Sequence, residues 1–513
     1  MRSNIVWGLA GAAAATLALG VGELVGGVLG GPSLIAAVGA IVIELQPPGA
    51  KDLMVTLFGE ADKVILETVT AIAAIAIGGV LGVLARRDVR IASAGFVAFG
   101  VIAFLAAMRD PLTDTLAAAV TAGLAVAAGL FGLGQLLPRL RAGAQPAADP
   151  DPAVSAPAAT LERRRFLAFS GTLLAAGAVT AVMGRFLTLQ LPPVTAPQPI
   201  PSPGQSLPPV PAGAALDVPG ITPIVVPNDA FYRIDTRLTV PRLDAQTWTM
   251  RIHGMVEQEV TLTYADLAAM PLVERYVTIA CVSNEVGGNL VGNAKWTGVP
   301  LVPVLELAGV RPEASQLVGR SFDGWTAGFP TAHLDGAGSD AMIALQMNDE
   351  VLPARHGFPA RLIVPGLFGY VSATKWLTEI ELTTLEAFDA YWVPLGWAKE
   401  APILTQSRID VPGRGGRVVP GPVVVAGVAW APTRGISRVE VQLDEGPWQA
   451  AQLSVPLSGA AWVQWQAGVE MSAGEHTLRV RATDGTGATQ PAERTPPAPD
   501  GARGYHEVRV SAG

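Results

Sequence analysis

The sequence predicts a multi-domain protein with an N-terminal α-helical transmembrane bundle, a central mixed α+β domain and a C-terminal β-sandwich. Residues 1–187 contain several long apolar runs without charged residues. Runs of this length can cross a bilayer as helices. After residue 228, alternating stretches are joined to short helical patterns, which indicates a mixed domain. From Gly421 onward, short alternating strands are separated by Gly, Pro and Asp turns, as is typical of a sandwich.

The apolar runs of residues 1–187 are each long enough, or nearly so, to cross ~30 Å of hydrocarbon as a helix. They cover residues 3–22, 24–43, 68–85, 91–108, 115–137 and 166–184. A Gly-Gly-Pro sequence at residues 30–32 breaks the second run. The remaining piece, 33–45, is too short to span. We therefore predict about five spans, with residues 33–58 re-entrant or interfacial.

Arginines between the runs predict the orientation of the bundle, because cytoplasmic loops carry an excess of basic residues. One group lies at residues 86–90, and a second at residues 139–165. With Arg2 also inside, five crossings place everything after residue 187 outside the cytoplasm. The predicted localisation is a multi-pass protein of the cell membrane, with the lipid bilayer as one partner.

Two linkers are predicted from composition. Residues 138–160, rich in Ala, Pro and Asp, indicate a solvated cytoplasmic linker that continues to residue 165. Residues 190–227 carry twelve prolines, which predicts a semi-rigid extracytoplasmic stalk over 188–227. Residues 162–187 begin Glu-Arg-Arg-Arg-Phe-Leu and resemble a twin-arginine export signal. A positive-inside anchor is the alternative, and both give the same topology.

Cys281 is the only cysteine of the chain. A lone cysteine cannot form an intrachain disulfide, so it is a packed thiol, an intermolecular bridge, or a thiolate that acts as nucleophile or metal ligand. It follows a β-rich apolar run and precedes Gly287, Gly288 and Gly292, whose bare backbones can approach a bulky group closely. This context favours a cofactor-binding loop.

The run Cys-Val-Ser-Asn-Glu-Val-Gly-Gly from Cys281, followed by Gly-Asn-Ala-Lys-Trp-Thr-Gly, resembles the molybdenum-cysteine loop of the sulfite oxidase family. The resemblance extends from about Asn228 to the C-terminus. It implies a Mo-molybdopterin cofactor in a domain over residues 228–400, with Cys281 as metal ligand and catalytic residue and with cofactor contacts from Ser283 and Asn284. A soft thiolate suits such a metal.

A basic segment further along also matches the family. It begins Arg-His-Gly-Phe-Pro-Ala-Arg at residue 355 and ends Ala-Thr-Lys-Trp at residue 376. The resemblance implies that His356, Arg361 and Lys375 bind the terminal phosphate of the pterin, with Thr374 beside them. Cationic groups of this kind bind anions strongly when they converge.

Two shorter segments complete the implied cofactor contacts. Asn-Asp-Ala-Phe-Tyr-Arg, from residue 228, implies contacts from Asn228, Tyr232 and Arg233. Phe-Asp-Gly-Trp-Thr, from residue 322, resembles a further pterin-side loop and implies a contact from Asp323 and a weaker one from Thr326.

Residues 401–513 resemble the immunoglobulin-like dimerisation domain that follows the molybdenum domain in sulfite oxidases. The match includes Ser-Arg-Val-Glu-Val from residue 437 and Gly-Tyr-His-Glu-Val from residue 504. It implies that this domain can form a homodimer. We assign no chemistry to it and expect its tryptophans to be core and interface residues.

The sequence departs from the family at a residue that binds the substrate. Sulfite oxidases carry an arginine five residues after the cysteine, whereas this chain has Val286, preceded by Glu285. Sulfite is therefore disfavoured, and the substrate is predicted to be sulfoxide-type or sulfite-type. Methionine sulfoxide reductases of the same superfamily share the pterin pattern and receive electrons from a membrane haem protein.

The electron partner is predicted to be a separate molecule. No histidine occurs before His253 and no cysteine before Cys281, so the usual axial ligands of a membrane haem are missing and no haem is predicted. The net charge of −8 gives no support for nucleic-acid binding.

The sequence thus predicts a membrane-anchored, extracytoplasmic molybdenum-molybdopterin oxidoreductase that performs two-electron oxo transfer on a small molecule. Two alternatives stay open. One is a thiol-based reductase that uses Cys281 as nucleophile, although the cysteine loop offers no histidine or second cysteine as partner. The other is a non-catalytic membrane-tethered binding or assembly module on the same fold.

Overall fold

The computed structural model describes residues 2–31, 33–45, 62–142, 152–190, 200–204 and 206–513. The chain forms two compact units, the first from Met1–Pro193 with Thr236–Val240, and the second from Val194–Asp235 with Pro241–Gly513. The predicted re-entrant segment, cytoplasmic linker and stalk each lie partly outside the described residues.

The first unit is helical, as the apolar runs predict. Its described helices are α1 (Arg2–Leu29), α2 (Leu34–Leu45), α3 (Asp62–Leu84), α4 (Val89–Ala107), α5 (Thr115–Ala142) and α6 (Pro152–Gln190). Five of these, all except α2, are long and apolar enough to cross a membrane. The five helices match the five predicted spans, two of which end one residue beyond their helix.

Helix α1 packs closely on its neighbours because glycines face each other at the contacts. A Cβ atom added to Gly11 would collide with the backbone carbonyl of Gly78 on α3. One added to Gly20 would collide with the carbonyl of Gly177 on α6. Small residues at such positions let apolar helices approach to backbone contact, which explains the Gly and Ala content of this half.

The helices extend further into the predicted cytoplasmic linker than composition indicates. Helix α5 continues through Pro138 to Ala142, although proline disfavours a helix interior. The side chain of Arg139 donates a hydrogen bond to the backbone carbonyl of Gln135, which satisfies part of the disrupted turn. Helix α6 begins at Pro152, a residue that is well tolerated in the first helical turn. The described helices therefore extend into both ends of the predicted linker, and residues 143–151 lie outside the described residues.

The second unit begins with the α+β domain. Its strands are β1 (Thr249–Gly254), β2 (Val260–Thr263), β3 (Val273–Ala280), β4 (Val291–Pro300), β5 (Gln316–Ser321), β6 (Thr326–Pro330), β7 (Met342–Met347), β8 (Glu350–Val351), β9 (Arg361–Ile363) and β10 (Leu377–Thr383). Short helices α7 (Tyr264–Ala269), α8 (Leu301–Glu306) and α9 (Gly369–Ser372) connect them. Helix α7 starts at a capping box in which Thr263 and Asp266 bond reciprocally.

Two sheets make up this domain. The first has the order β2-β1-β10-β5-β6, and the second has the order β3-β4-β7-β8 with β9 paired to β7. Strands β1 and β10 are parallel, whereas β3 and β4 form an antiparallel pair in full register from Val273–Gly298 to Ala280–Val291. The antiparallel pair fixes where the cysteine loop leaves the sheet.

The C-terminal domain is the predicted immunoglobulin-like β-sandwich. Its strands are β11 (Gln406–Val411), β12 (Arg417–Val418), β13 (Gly421–Trp430), β14 (Ile436–Leu443), β15 (Gln449–Ala450), β16 (Gln452–Leu453), β17 (Val463–Met471), β18 (Gly474–Asp484) and β19 (His506–Ala512). The sheets have the orders β11-β13-β17-β16 and β12-β19-β18-β14-β15. Val425, Trp465 and Val480 are buried in one core between them.

The proline-rich segment is not a free spacer over its described part. The backbone N–H of Leu207 donates to Glu274 at 2.8 Å, and that of Thr222 donates to Asp410 at 3.0 Å. Ile224 is buried in the core of the α+β domain. From residue 206 onward the predicted stalk is therefore packed on the α+β domain and the sandwich and is not a spacer held away from them, because backbone groups that proline leaves without helix or sheet partners bond instead to side chains far along the chain.

Candidate functional site

Cys281 follows β3 directly and starts a tightly bonded loop. Its thiol is buried, and its backbone N–H donates to the carbonyl of Leu290 at 2.9 Å. The side-chain Oδ1 of Asn284 accepts from the backbone N–H of Leu290 at 2.8 Å, while Nδ2 of Asn284 is buried with no hydrogen-bond partner among the described residues. The loop therefore fixes the thiol and leaves one buried donor unused.

The C-terminal domain braces this loop, which sequence reasoning did not foresee. Gly287 has φ +79, and a Cβ there would collide with the ring of His506. The guanidinium of Arg408 donates to the carbonyl of Gly288 at 2.8 Å. Burial lowers the pKa of His506 to about 4, so its ring is neutral, and its Nδ1 accepts from the backbone N–H of Ile409 at 3.0 Å.

The basic segment converges as the sequence predicts. His356 ends a short turn after β8, Arg361 opens β9, and Lys375 follows α9. The turn between the first two passes through Gly357 at φ +118, where a Cβ would lie 3.0 Å from Cα of Lys375. A donor on Arg361 reaches the carbonyl of His356 at 3.2 Å. Glycine is required for this approach, and it brings the three basic residues together.

Several polar atoms of this cluster are buried and unsatisfied. Arg361 is only 5% exposed and His356 is fully buried. Within the described part of the chain, Nε of Arg361, Nδ1 of His356 and Nε of Arg355 have no hydrogen-bond partner. Burial lowers the pKa of Arg361 to about 10. Burial, and then the positive charges of Arg361, Lys375 and Arg355, lowers the pKa of His356 to about 3.

Buried, unsatisfied groups of this kind are costly, and an anionic group placed among them would satisfy them. The residues present therefore fit a phosphate-bearing cofactor. This fit depends on the polar atoms of the cluster and their burial, and the lowered pKa values of Arg361 and His356 agree with it because burial is the main cause of both.

Asp235 organises two of the predicted residues and was missed by the sequence reasoning. Its carboxylate accepts from Lys375 at 2.8 Å and from Arg233 at 2.9 Å, and all three side chains are mostly buried. Because both basic side chains bond to one acid, their positions are fixed relative to each other. The one sequence feature that could have indicated the role of Asp235 is its position shortly after Tyr232 and Arg233.

Tyr232 lies between the cysteine loop and the basic cluster. It stacks on Phe231, with ring centroids 5.3 Å apart, and Phe231 meets the ring of His356 edge-on at 5.7 Å. Burial is the main cause of the raised pKa of the Tyr232 hydroxyl; the charge of Cys281 raises it further, and that of Arg361 opposes the rise. The two motifs therefore belong to one site, and the hydroxyl stays protonated.

Asn228 has a supporting position. Its backbone carbonyl accepts from Nε2 of His356 at 2.7 Å. Its side-chain amide donates to the carbonyl of Met347 at 3.1 Å and to Glu350 at 2.9 Å, and its Oδ1 accepts from Asn348 at 2.9 Å. In the described contacts, the side chain of Asn228 therefore bonds to neighbouring strands and turns, whereas its backbone carbonyl bonds to the basic cluster.

The remaining predicted residues lie in or near the same loops. Ser283 is half-buried beside Cys281, and Thr374 is fully buried beside Lys375. The side chain of Asp323 accepts at 3.3 Å from a backbone N–H two residues on. Thr326 is buried and accepts from a backbone N–H at 3.0 Å.

The position of the family's substrate arginine is apolar and buried. Val286 is packed inward, whereas Glu285 is exposed. Two arginines nearby in sequence are engaged elsewhere: Arg233 is paired with Asp235, and Arg237 belongs to the first unit, where it is paired with Asp110. Neither described interaction supplies a cation at Val286.

The described residues contain no group of three or more His, Cys, Asp or Glu side chains that could hold a metal ion. A metal bound at Cys281 would need most of its ligands from a non-protein group. The donor chemistry of the site therefore fits a metal carried by an organic cofactor.

Comparison with family models gives two matches. Residues 237–392 match an oxidoreductase molybdopterin binding domain, and residues 404–497 match a Mo-co oxidoreductase dimerisation domain. These ranges cover the elements that carry Cys281, the basic cluster and most of the sandwich.

Similar proteins include mitochondrial sulfite oxidase of Rattus norvegicus, which is 29% identical over 52% of this chain and 57% of its own length. The uncharacterised oxidoreductase YuiH of Bacillus subtilis is 32% identical over 30% of this chain and 74% of its own. The crystal structure of the sulfane dehydrogenase SoxCD from Paracoccus pantotrophus is 26% identical and covers 56% of this chain and 81% of its own, with a TM-score of 0.49. The chain thus spans only 57% of the length of the rat enzyme.

Proposed function

The chain belongs to the sulfite oxidase family of molybdopterin-dependent oxidoreductases, and we propose that it performs two-electron oxo transfer on a small molecule outside the cytoplasm. The observation that carries this proposal is the position of Tyr232, which lies between the buried thiol of Cys281 and the unsatisfied buried polar atoms of Arg361 and His356. One site thus offers a metal-binding thiolate and an anion-binding cluster.

Molybdopterin, when bound, supplies a metal centre that exchanges an oxygen atom and two electrons with the substrate. The part of this chain is to hold and orient it. Cys281 would provide the protein ligand, with Ser283 and Asn284 in the same loop. Arg361 would donate to the terminal phosphate. His356 would donate to it from Nδ1 once the bound anion has favoured protonation of the ring, because Nε2 already donates to the carbonyl of Asn228. Lys375 would add charge beside them while it remains bonded to Asp235.

Tyr232 is the chain's own proton-bearing group in this site. Because burial raises the pKa of its hydroxyl, the hydroxyl remains a neutral donor through the physiological range. It would donate a hydrogen bond into the site and would not accept a proton there.

We expect the purified protein to act on a sulfoxide better than on sulfite. Val286 leaves no fixed cation at the position of the family's arginine, and a charge-assisted contact is worth about 1.5–3 kcal/mol, or roughly tenfold or more in binding. The measurement is kcat/KM for methionine sulfoxide with a reduced dye against kcat/KM for sulfite with an artificial acceptor.

Two variants sharpen this comparison. Val286→Arg should shift the preference towards sulfite, whereas Glu285→Arg, which adds the same side chain at the exposed neighbouring position, should change it little. A wild-type preference for sulfite that disappears on replacing Arg233 would mean that the anion site has moved, and the proposal of a neutral substrate would be wrong.

The membrane placement is a further part of the proposal. Five described helices are long and apolar enough to cross a bilayer, and basic residues cluster in the loop between α3 and α4. The ion pair between Arg237 and Asp110 supports one side for the α4–α5 loop and the chain after α6. With the N-terminus in the cytoplasm, the α4–α5 loop follows three crossings and the chain after α6 follows five, so both would be extracytoplasmic.

Cysteine labelling tests this topology, since the native Cys281 is buried and gives a low background. In intact cells, Asp217→Cys should react with a membrane-impermeant maleimide, whereas Arg87→Cys should react only after permeabilisation. Both positions are exposed. Labelling of Arg87→Cys from outside would contradict the proposed orientation.

The partners proposed for the chain are a second copy and a separate electron carrier. The match to a dimerisation domain over residues 404–497 supports a homodimer through the sandwich. A separate carrier is proposed because no histidine or cysteine suited to haem ligation precedes residue 253.

A further inference from the structure

The first unit contains a cavity of about 320 Å³ formed by the described parts of α1–α5. Its walls are almost entirely aliphatic and aromatic, with Leu19, Ile35, Val69, Phe99 and Val126 among them. A volume of this size falls in the lower part of the range of small-molecule sites, roughly 300–1,000 Å³. It can hold a ring with the first part of a hydrocarbon tail.

Glu23 is the single ionisable side chain among the residues that line this cavity. It is only 9% exposed and lies within the apolar span Asn4–Leu29. The hydroxyl of Ser33 donates to its Oε1 at 2.8 Å. Arg185, a nearby cation, is bonded to Glu67 at 2.9 Å, so the described hydrogen bond that holds Glu23 comes from a neutral group.

A carboxyl group inside a membrane span is costly and usually marks a functional position. The packing of the helices does not need it, because their close contacts are made by glycines. Glu23 instead gives the apolar cavity one hydrogen-bonding end. A ligand that matches this cavity is apolar over most of its length and has an uncharged oxygen at one end.

We propose that this cavity binds a membrane quinone, with a ring oxygen that accepts a hydrogen bond from the protonated Glu23 carboxyl. A quinone ring combines neutral oxygen atoms with an apolar body and tail. A phospholipid fits less well, because its charged head group would lose hydration against the aliphatic walls. The identification of the ligand as a quinone, which carries two electrons, rests on the proposed function. The existence of a ligand site is argued only from the cavity and from Glu23.

Binding can be measured without turnover. The full-length protein in quinone-free lipid nanodiscs is titrated with decylubiquinone, and the uptake of empty nanodiscs is subtracted. We expect saturation at one quinone per chain. Glu23→Leu, which removes the donor and keeps an apolar side chain of similar size, should weaken binding roughly two- to tenfold, the effect of losing one neutral hydrogen bond.

Two variants fill the cavity without touching Glu23. Ala74→Phe, on α3, should abolish saturable binding, and Ala103→Leu, a smaller change on α4, should weaken it if the larger one prevents folding. Both residues line the cavity. Val179→Phe is the matched control, because Val179 is 64% exposed on α6 and is not among the lining residues.

Dye-coupled oxidoreductase activity is measured on the same samples. Its absence in the wild type, with quinone bound normally, would count against the proposed function and not against this site. Equal binding by the wild type, Glu23→Leu and the cavity-filling variants would overturn the inference. So would a wild type that takes up no more quinone than empty nanodiscs, or one that retains only phospholipid.

Discussion

Replacement of Cys281 by serine is expected to abolish turnover while the protein still folds and enters the membrane. The serine hydroxyl is a hard, poorly ionised ligand, whereas the thiolate is soft and suits a high-valent metal. The side chains are similar in size, and the loop is held by backbone bonds to Leu290 and by Asn284, so the local fold should survive. The measurement is dye-coupled activity together with molybdenum and pterin content per chain.

The control for this variant is Glu285→Gln, a change of an exposed side chain four residues along the same loop. It should keep activity, and its thermal transition should match those of the wild type and of Cys281→Ser. Full activity in Cys281→Ser would remove the thiol from the chemistry and would leave the anion cluster as the only argument for cofactor binding.

Sequence alone predicted the parts of the fold that depend on local pattern. Uniform hydrophobicity over runs of about twenty residues specifies a membrane helix whatever the tertiary contacts are. Likewise, the alternation of β13, β14 and β17 is enough to predict a sandwich. The apolar helices and the sandwich are both confirmed at the level of fold class, whereas the membrane placement stays a prediction.

The errors occurred where contacts between distant residues decide the structure. The proline-rich segment was predicted to be a semi-rigid spacer because prolines exclude regular secondary structure. Its backbone N–H groups nevertheless reach Glu274 and Asp410, which no local pattern could indicate. Pro138 remained helical for a similar reason, since a neighbouring side chain satisfies the disrupted turn.

The same distinction applies to the site. Cys281, His356 and Arg361 were identified from motifs of short range. Asp235 and Arg408 were missed, because each acts through a partner more than a hundred residues away, Lys375 and Gly288 respectively. A residue whose role is to position another leaves little trace in its own neighbourhood of the sequence.

Arg361→Ala is expected to give purified protein with less pterin. The guanidinium is buried, reaches the carbonyl of His356 at 3.2 Å and keeps Nε without a partner, so it is arranged to donate to an added anion. Each charge-assisted hydrogen bond to such an anion is worth about 1.5–3 kcal/mol. Loss of one or two would therefore lower cofactor affinity by roughly tenfold to several hundredfold or more.

The matched control is Arg481→Ala in the sandwich. Arg481 also lies over a tryptophan ring, at 4.3 Å from Trp448, whereas Arg361 lies 5.3 Å from the ring of Trp296. Arg481→Ala should keep its pterin, which separates the loss of an anion contact from the loss of arginine-tryptophan packing. Arg361→Lys should retain an intermediate amount, since it keeps the charge but not the planar set of donors. Stoichiometric pterin in Arg361→Ala would show that this arginine serves only the strand in which it lies.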